Sequence, residues 1–144
     1  MRQRGQCFRE AFRKPTILLV KLSPKGFLIE DELHPELTGR VVKTRLVRKR
    51  FEDRVLVCSS RDGLRARDGS VCDECRHPEC QPQLRAHLVQ GEVIYILDLA
   101  ASSARNLFAV EDEAAANGEQ LRDWPLRLSM RNRGHWGEVC FQRV

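Results

Sequence analysis

Aromatic residues are scarce in this chain of 144 residues: six Phe, two Trp and one Tyr make up 6% of it. A protein that holds bases by stacking needs aromatic faces, so any such platform here is small. Long hydrophobic runs are missing too. Apolar stretches such as residues 17–20 are a few residues long, far below the ~20 needed to cross a bilayer as a helix. The basic first residues, MRQRGQCFREAFRK, lead into no long apolar region, so no secretory signal is expected. A cytoplasmic protein is expected, or one held with DNA in a nucleoid or nucleus.

The usual marks of catalysis are also lacking. No Gly-rich phosphate loop, nucleophile elbow or acid pair stands out. The four histidines, at 34, 77, 87 and 135, are scattered, which leaves no metal-binding pair for nuclease chemistry. A zinc deaminase needs His-x-Glu followed by Pro-Cys-x2-Cys; position 71 is Val and no His-x-Glu precedes it. The expectation is a protein that is not an enzyme.

What the chain has in quantity is charge, unevenly placed. Residues 1–50 hold 13 Lys and Arg against 5 Asp and Glu, a balance of +8. Residues 51–144 hold 12 against 15, a balance of −3, and together these make the net +5. The first third is the candidate surface for a polyanion, although a basic run can equally be a solvated face. With 42% apolar residues, the chain can build one core without cross-links.

Residues 1–39 read as a basic N-terminal arm with short strands, interrupted by Pro15, Pro24, Pro35 and Gly39. Residues 40–144 read as the folded domain. From Arg40, VVKTRLVRKRF alternates. Val42, Thr44 and Leu46 are expected to face a core, with Lys43, Arg45 and Lys49 outward and Val41, Val47 and Phe51 beside them. Residues 54–58 return as a hairpin partner. Residues 84–89 and 93–99 form two more strands around the tight turn Gln90-Gly91-Glu92. Ser102 or Ser103 is expected to cap a helix with Leu107, Val110 and Ala114 on one stripe, stopped at Asn117-Gly118. Leu126, Leu128 and Met130 alternate with Arg127, Ser129 and Arg131 in a further strand. Gly134-His-Trp-Gly137 is a turn before a last strand, residues 138–144. The expected class is mainly β: an OB-fold-like five-stranded Greek-key barrel with one helix and an inserted loop. An SH3-like barrel or a general α+β domain are the alternatives.

Four of the six cysteines lie in CSSRDGLRARDGSVCDECRHPEC, as Cys58-x13-Cys72-x2-Cys75-x4-Cys80. Its polar residues cannot fold by burying surface. Two thiolates two residues apart ligate one zinc through a tight turn, and an all-sulfur set favours zinc over magnesium or calcium. The expectation is one structural Zn2+ on Cys58, Cys72, Cys75 and Cys80, ordering the loop 58–80. His77 or His87 could replace one sulfur. Four thiolates leave no open position for water, so the site is structural. Cys7 and Cys140 are remote and expected to be unliganded.

The order of features resembles the carboxy-terminal OB-fold of the large subunit of replication protein A, in which a zinc loop is inserted ahead of the central strands. QLRAHL, VIYILDLA, SARNLFAVEDEAAA, LRLSMRN and GEVCFQRV follow in the same order over residues 40–144. The likeness is architectural. That family looks like two close cysteine pairs, whereas here Cys58 has no near partner. The resemblance implies single-stranded DNA binding, or assembly with partners, and no catalysis.

The groups for such binding are present. Arg40, Lys43, Arg45, Arg48, Lys49 and Arg50 form a basic strand, and Arg127, Arg131 and Arg133 a second set. Among possible stackers, Tyr95 reads as core, Trp124 beside Pro125 as a packing plug, and Phe51 as cover for a hairpin end. Trp136, in an apparent turn near Arg133 and His135, is the best candidate. Single-stranded DNA is the expected partner, with RNA open. The other function class is a zinc-stabilised protein-interaction subunit of a DNA-processing or mobile-element complex.

Overall fold

A computed structural model describes residues 14–52, 55–60, 64, 66 and 80–144. These form nine strands and one α-helix. The strands are β1 (Thr16–Ser23), β2 (Gly26–Ile29), β3 (Glu32–His34), β4 (Glu36–Glu52), β5 (Val55–Ser60), β6 (Cys80–Gln90), β7 (Val93–Leu99), β8 (Leu126–Asn132) and β9 (Gly137–Arg143). The helix α1 (Ala101–Ala116) and a short 3-10 turn (Leu121–Asp123) lie between β7 and β8. The protein is mainly β, built on one curled sheet ordered β3-β2-β1-β7-β6-β4-β8-β9, with β5 added to β4.

The organising element is β4. Its first residues, Glu36 to Gly39, pair with β8. From Arg40 it pairs with β6 on the other side, and its end pairs with β5. One strand thus serves two parts of the sheet and makes it curl. Gly39 sits at the changeover, where a Cβ would stand 2.6 Å from the Val89 carbonyl oxygen. This glycine therefore permits a close crossing inside a strand rather than ending a segment. The curl brings Gly137, at the start of β9, against β1: a Cβ there would lie 2.5 Å from the Ser23 carbonyl oxygen and 2.4 Å from the Met130 sulfur.

The expected phase of β4 is corrected by a β-bulge. Val41 pairs with Leu88 and Lys43 with His87, leaving Val42 without a partner. The extra residue shifts the alternation. Val41 is therefore buried and Val42 is 47% exposed, the reverse of the sequence expectation. Beyond the bulge, Thr44 and Leu46 share a side with Ala86 and Leu84, although Leu46 stays 41% exposed. Val47, on the cationic side, is buried at 1%.

The core is Leu88, Leu97, Leu99, Leu107, Leu126 and Leu128, with Trp124, Phe27 and smaller residues around them. Burying each such leucine contributes about 1.5–3 kcal/mol of transfer free energy. Val20, Phe27 and Ile29 belong to the same cluster, and β1 runs parallel to β7. The described part of the first 39 residues is thus joined to the rest through sheet and core.

The helix closes an edge. Ser103 does not cap it; the N-cap is Ala100, with no side-chain cap. Instead the buried Ser103 hydroxyl accepts a hydrogen bond from the Val139 amide at 2.9 Å. Asn106 donates to the Val139 carbonyl at 2.9 Å. Two helix side chains thereby satisfy the β9 backbone where a neighbouring strand would otherwise do so. At the other end, Gly118 adopts φ +71° and its amide bonds to the Ala115 carbonyl, the expected stop.

Candidate nucleic-acid interface

The register places a cluster on the outer side of β4, β6 and β7. Lys43 lies opposite His87, and Arg45 opposite Arg85. Arg85 in turn lies opposite Asp98, and His87 opposite Ile96. Because residues directly opposite each other share a face, Lys43, Arg45, Arg85, His87 and Asp98 project to one side. Lys49 joins them, two steps beyond Val47 on the same strand.

Asp98 is the only carboxylate at this cluster among the described residues, and it is engaged. Arg85 donates to it through Nε at 2.8 Å and through a terminal nitrogen at 3.0 Å. The Lys49 ammonium also bonds to Oδ2. Burial alone would raise the Asp98 carboxyl, but the hydrogen bonds from Arg85 and Lys49, and their charges, outweigh it and hold the pKa below its ordinary value. The Asp98 bond in turn raises Arg85, against the effect of burial. His87 is lowered, first by burial and then by Lys43, Arg45 and Arg85, with Asp98 opposing. Its Nε2 is buried without a hydrogen-bond partner among the described residues. Near neutral pH the imidazole is therefore uncharged in a cationic setting.

Other sequence candidates fall elsewhere. Arg40 donates to the Asp123 carbonyl at 3.1 Å. Arg48 lies opposite Ser60 and Pro82, and Arg50 opposite Cys58 and Cys80; alternation puts both on the face away from Lys49. Phe51 lies in β4 opposite Leu56; its side chain is outside the described residues. Arg131 on β8 and Arg133 just after it converge on one carboxylate, Glu138 of β9, at 3.6 and 2.9 Å. Arg127 is 3.8 Å from Glu36. Trp124 is 1% exposed, donates to Glu119 at 3.1 Å, and has the Arg143 guanidinium 4.1 Å from its ring centroid. It is a packing residue, as expected, and Tyr95 likewise packs against the core.

Trp136 and Lys49, 87 positions apart in sequence, line one groove of about 460 Å³. Leu19, Lys21, Asp98 and His135 line it as well. Trp136 is 46% exposed there, held over the end of β1 by the close approach of Gly137. Ala100 and Ser103 also border the groove, so the first turn of α1, with no acidic residue, adds positive partial charge.

Of the four cysteines expected to hold zinc, Cys72 and Cys75 lie outside the described residues. Cys58 and Cys80 are half-buried and flank Arg50 on one face, in strands to either side of it. Among the described residues no three His, Cys, Asp or Glu side chains group as a metal site. No described helix is long and apolar enough to cross a membrane.

The sequence reading missed Arg85 and Asp98. Arg85 was detectable, since it alternates with Leu84 and Ala86 like the neighbouring His87. Asp98 sat in an apolar run and gave no such sign. Compared with protein-family models, curated proteins and solved structures, the chain matches none of them.

Proposed function

We propose that the protein binds single-stranded nucleic acid, DNA foremost, along the outer face of β4, β6 and β7. The observation that carries this is the excess of cations there: among the described residues Lys43, Arg45, Lys49 and Arg85 stand against Asp98 alone, with Trp136 exposed at one end. Cations tracking a backbone beside an aromatic face are the requirements for single-strand binding. The order β4–β6–β7–α1–β8–β9, with β4 paired to both β6 and β8, supports an OB-fold reading, in which the second and third strands offer the binding face. In that reading β1 takes the place beside β7 that the last strand of a closed barrel would occupy. The function is binding, without a catalytic step. Titration of labelled single strands and duplexes at low salt tests it: single strands bind in preference. Absence of binding to any oligonucleotide contradicts it.

The proposal includes a structural zinc on Cys58, Cys72, Cys75 and Cys80. Cys58 and Cys80 both lie opposite Arg50, in the strands to either side of it. A tetrathiolate zinc carries net negative charge, which a guanidinium between two of its ligands offsets. Metal analysis is expected to give one zinc per chain, lost together with several degrees of Tm in a Cys72→Ser/Cys75→Ser variant; a folded, metal-free protein contradicts this.

A second reading, a protein-interaction subunit, is favoured by Ile17 and Leu19 on β1, 58% and 74% exposed. It gains only if oligonucleotide binding fails.

A further inference from the structure

We infer that the groove beneath Trp136 takes one unstacked base bearing an exocyclic amino group, cytosine foremost, with that amine donating to Asp98. The inference rests on the single-strand reading above and deepens it, from a backbone-tracking surface to one that distinguishes bases.

Three observations carry it. First, the groove joins a stacking surface to polar groups. Trp136 lines it together with Leu19, Lys21, Lys49 and Asp98, and its volume of about 460 Å³ lies in the range of small-ligand pockets. An apolar wall, an indole and a few placed polar groups suit a flat heteroaromatic ring. Second, Asp98 has acceptor capacity left. An ionised carboxylate offers about four lone-pair positions. Arg85 Nε uses one on Oδ1; the Arg85 terminal nitrogen and Lys49 use two on Oδ2. One position on Oδ1 remains, on a side chain that is 18% exposed. Third, the surroundings are cationic, so the phosphates on either side of the base meet Lys21, Lys49 and the outer face.

The chemistry then selects among bases. A carboxylate suits the N4 amine of cytosine. The neighbouring cytosine N3 is an acceptor, matched by the Lys49 ammonium. Adenine presents the same donor-beside-acceptor edge. Thymine has no exocyclic amine, and its N3–H lies between two carbonyl oxygens that a carboxylate repels. Asp98 is held ionised by Arg85 and Lys49, so it acts as an acceptor throughout the neutral range.

Tryptophan fluorescence offers a local readout, because Trp124 is buried and only Trp136 is exposed to a ligand. Short oligodeoxycytidylate, oligodeoxyadenylate and oligothymidylate are titrated into the full chain, with fluorescence quenching and anisotropy of a labelled strand read together. The expected result is quenching by all that bind, absent in Trp136→Ala. Cytidylate affinity should exceed thymidylate affinity by roughly tenfold, the size of one hydrogen bond to a charged group, and Asp98→Ala should abolish that ratio. If anisotropy shows binding while Trp136 fluorescence stays unchanged, the groove is empty and the inference fails, although single-strand binding stands. Equal affinity for cytidylate and thymidylate in the native protein also overturns it. No anisotropy change with any strand overturns both readings.

Discussion

Two sets of cations, on different strands, differ in what faces them. On β4, β6 and β7, Lys43, Arg45, Lys49 and Arg85 have Asp98 as the one carboxylate beside them among the described residues, and only Lys49 and Arg85 bond to it. On β8, in the turn after it and on β9, Arg131 and Arg133 enclose Glu138, and Arg127 stands near Glu36. Lys43, Arg45 and Lys49 looked like Arg127 and Arg131 in the sequence, as basic residues alternating along a strand. Among the described residues the first set has four cations to one carboxylate, whereas the second has three cations to two carboxylates. Counting Lys and Arg along a strand therefore says less than locating the carboxylates across from them.

The largest expected effect separates the two sets. Lys43→Ala/Arg45→Ala is expected to weaken single-strand binding by roughly tenfold or more near 0.1 M salt. Arg131→Ala/Arg133→Ala should change affinity less than about threefold but lower stability, because Glu138 is left buried without its cations. Equal losses of affinity from both pairs would erase the contrast.

The next effect concerns what Asp98 does for the fold. Its carboxyl lies below its ordinary pKa when folded, so its contribution to stability is complete above the unfolded value of about 3.9. That contribution is lost as pH falls through the lower folded value. Asp98→Ala should cost about 1–3 kcal/mol at neutral pH, and the difference from the native protein should shrink in acid below about pH 4. Chemical denaturation at pH 7 and pH 3 measures both; a difference independent of pH contradicts the ion-pair account.

The smallest effect is the most specific to the outer face. His87 is faced by Lys43, Arg45 and Arg85 and by the opposing Asp98, and its folded pKa lies below about 6.5. A phosphate drawn to these cations favours the protonated ring. Lowering pH from 7 to 5.5 should therefore strengthen binding a few-fold, and His87→Gln should flatten that trend. Without ligand the sign reverses: the unfolded chain takes up the proton first, so stability falls as pH drops through the same range.

How far the sequence foretold this structure varies by element. β7 and β8 followed directly from their patterns, and the helix stop from Asn117-Gly118. β4 was found, but with its phase reversed at Val41 and Val42, because a bulge in Val-Val leaves no mark in composition. β6 begins at Cys80 rather than at Leu84, which concealed how near Cys80 comes to Arg50. Pro82 obscured that start, yet it sits where β6 has β4 on one side and β7 has already ended opposite Leu84. A missing amide is tolerated at such an edge. The groove was beyond reach, since Lys49, Asp98 and Trp136 meet only through the curl of the sheet and the glycine at 137.

The most direct test of the outer face as the binding surface is the salt dependence of single-strand affinity, compared between the native protein and Lys43→Ala/Arg45→Ala. Each phosphate contact contributes about 0.7 to the slope of log affinity against log salt for single strands. A steep native slope, reduced by about 1.4 in the double variant, is the expected result. A slope that the two substitutions leave unchanged would contradict the assignment of that face.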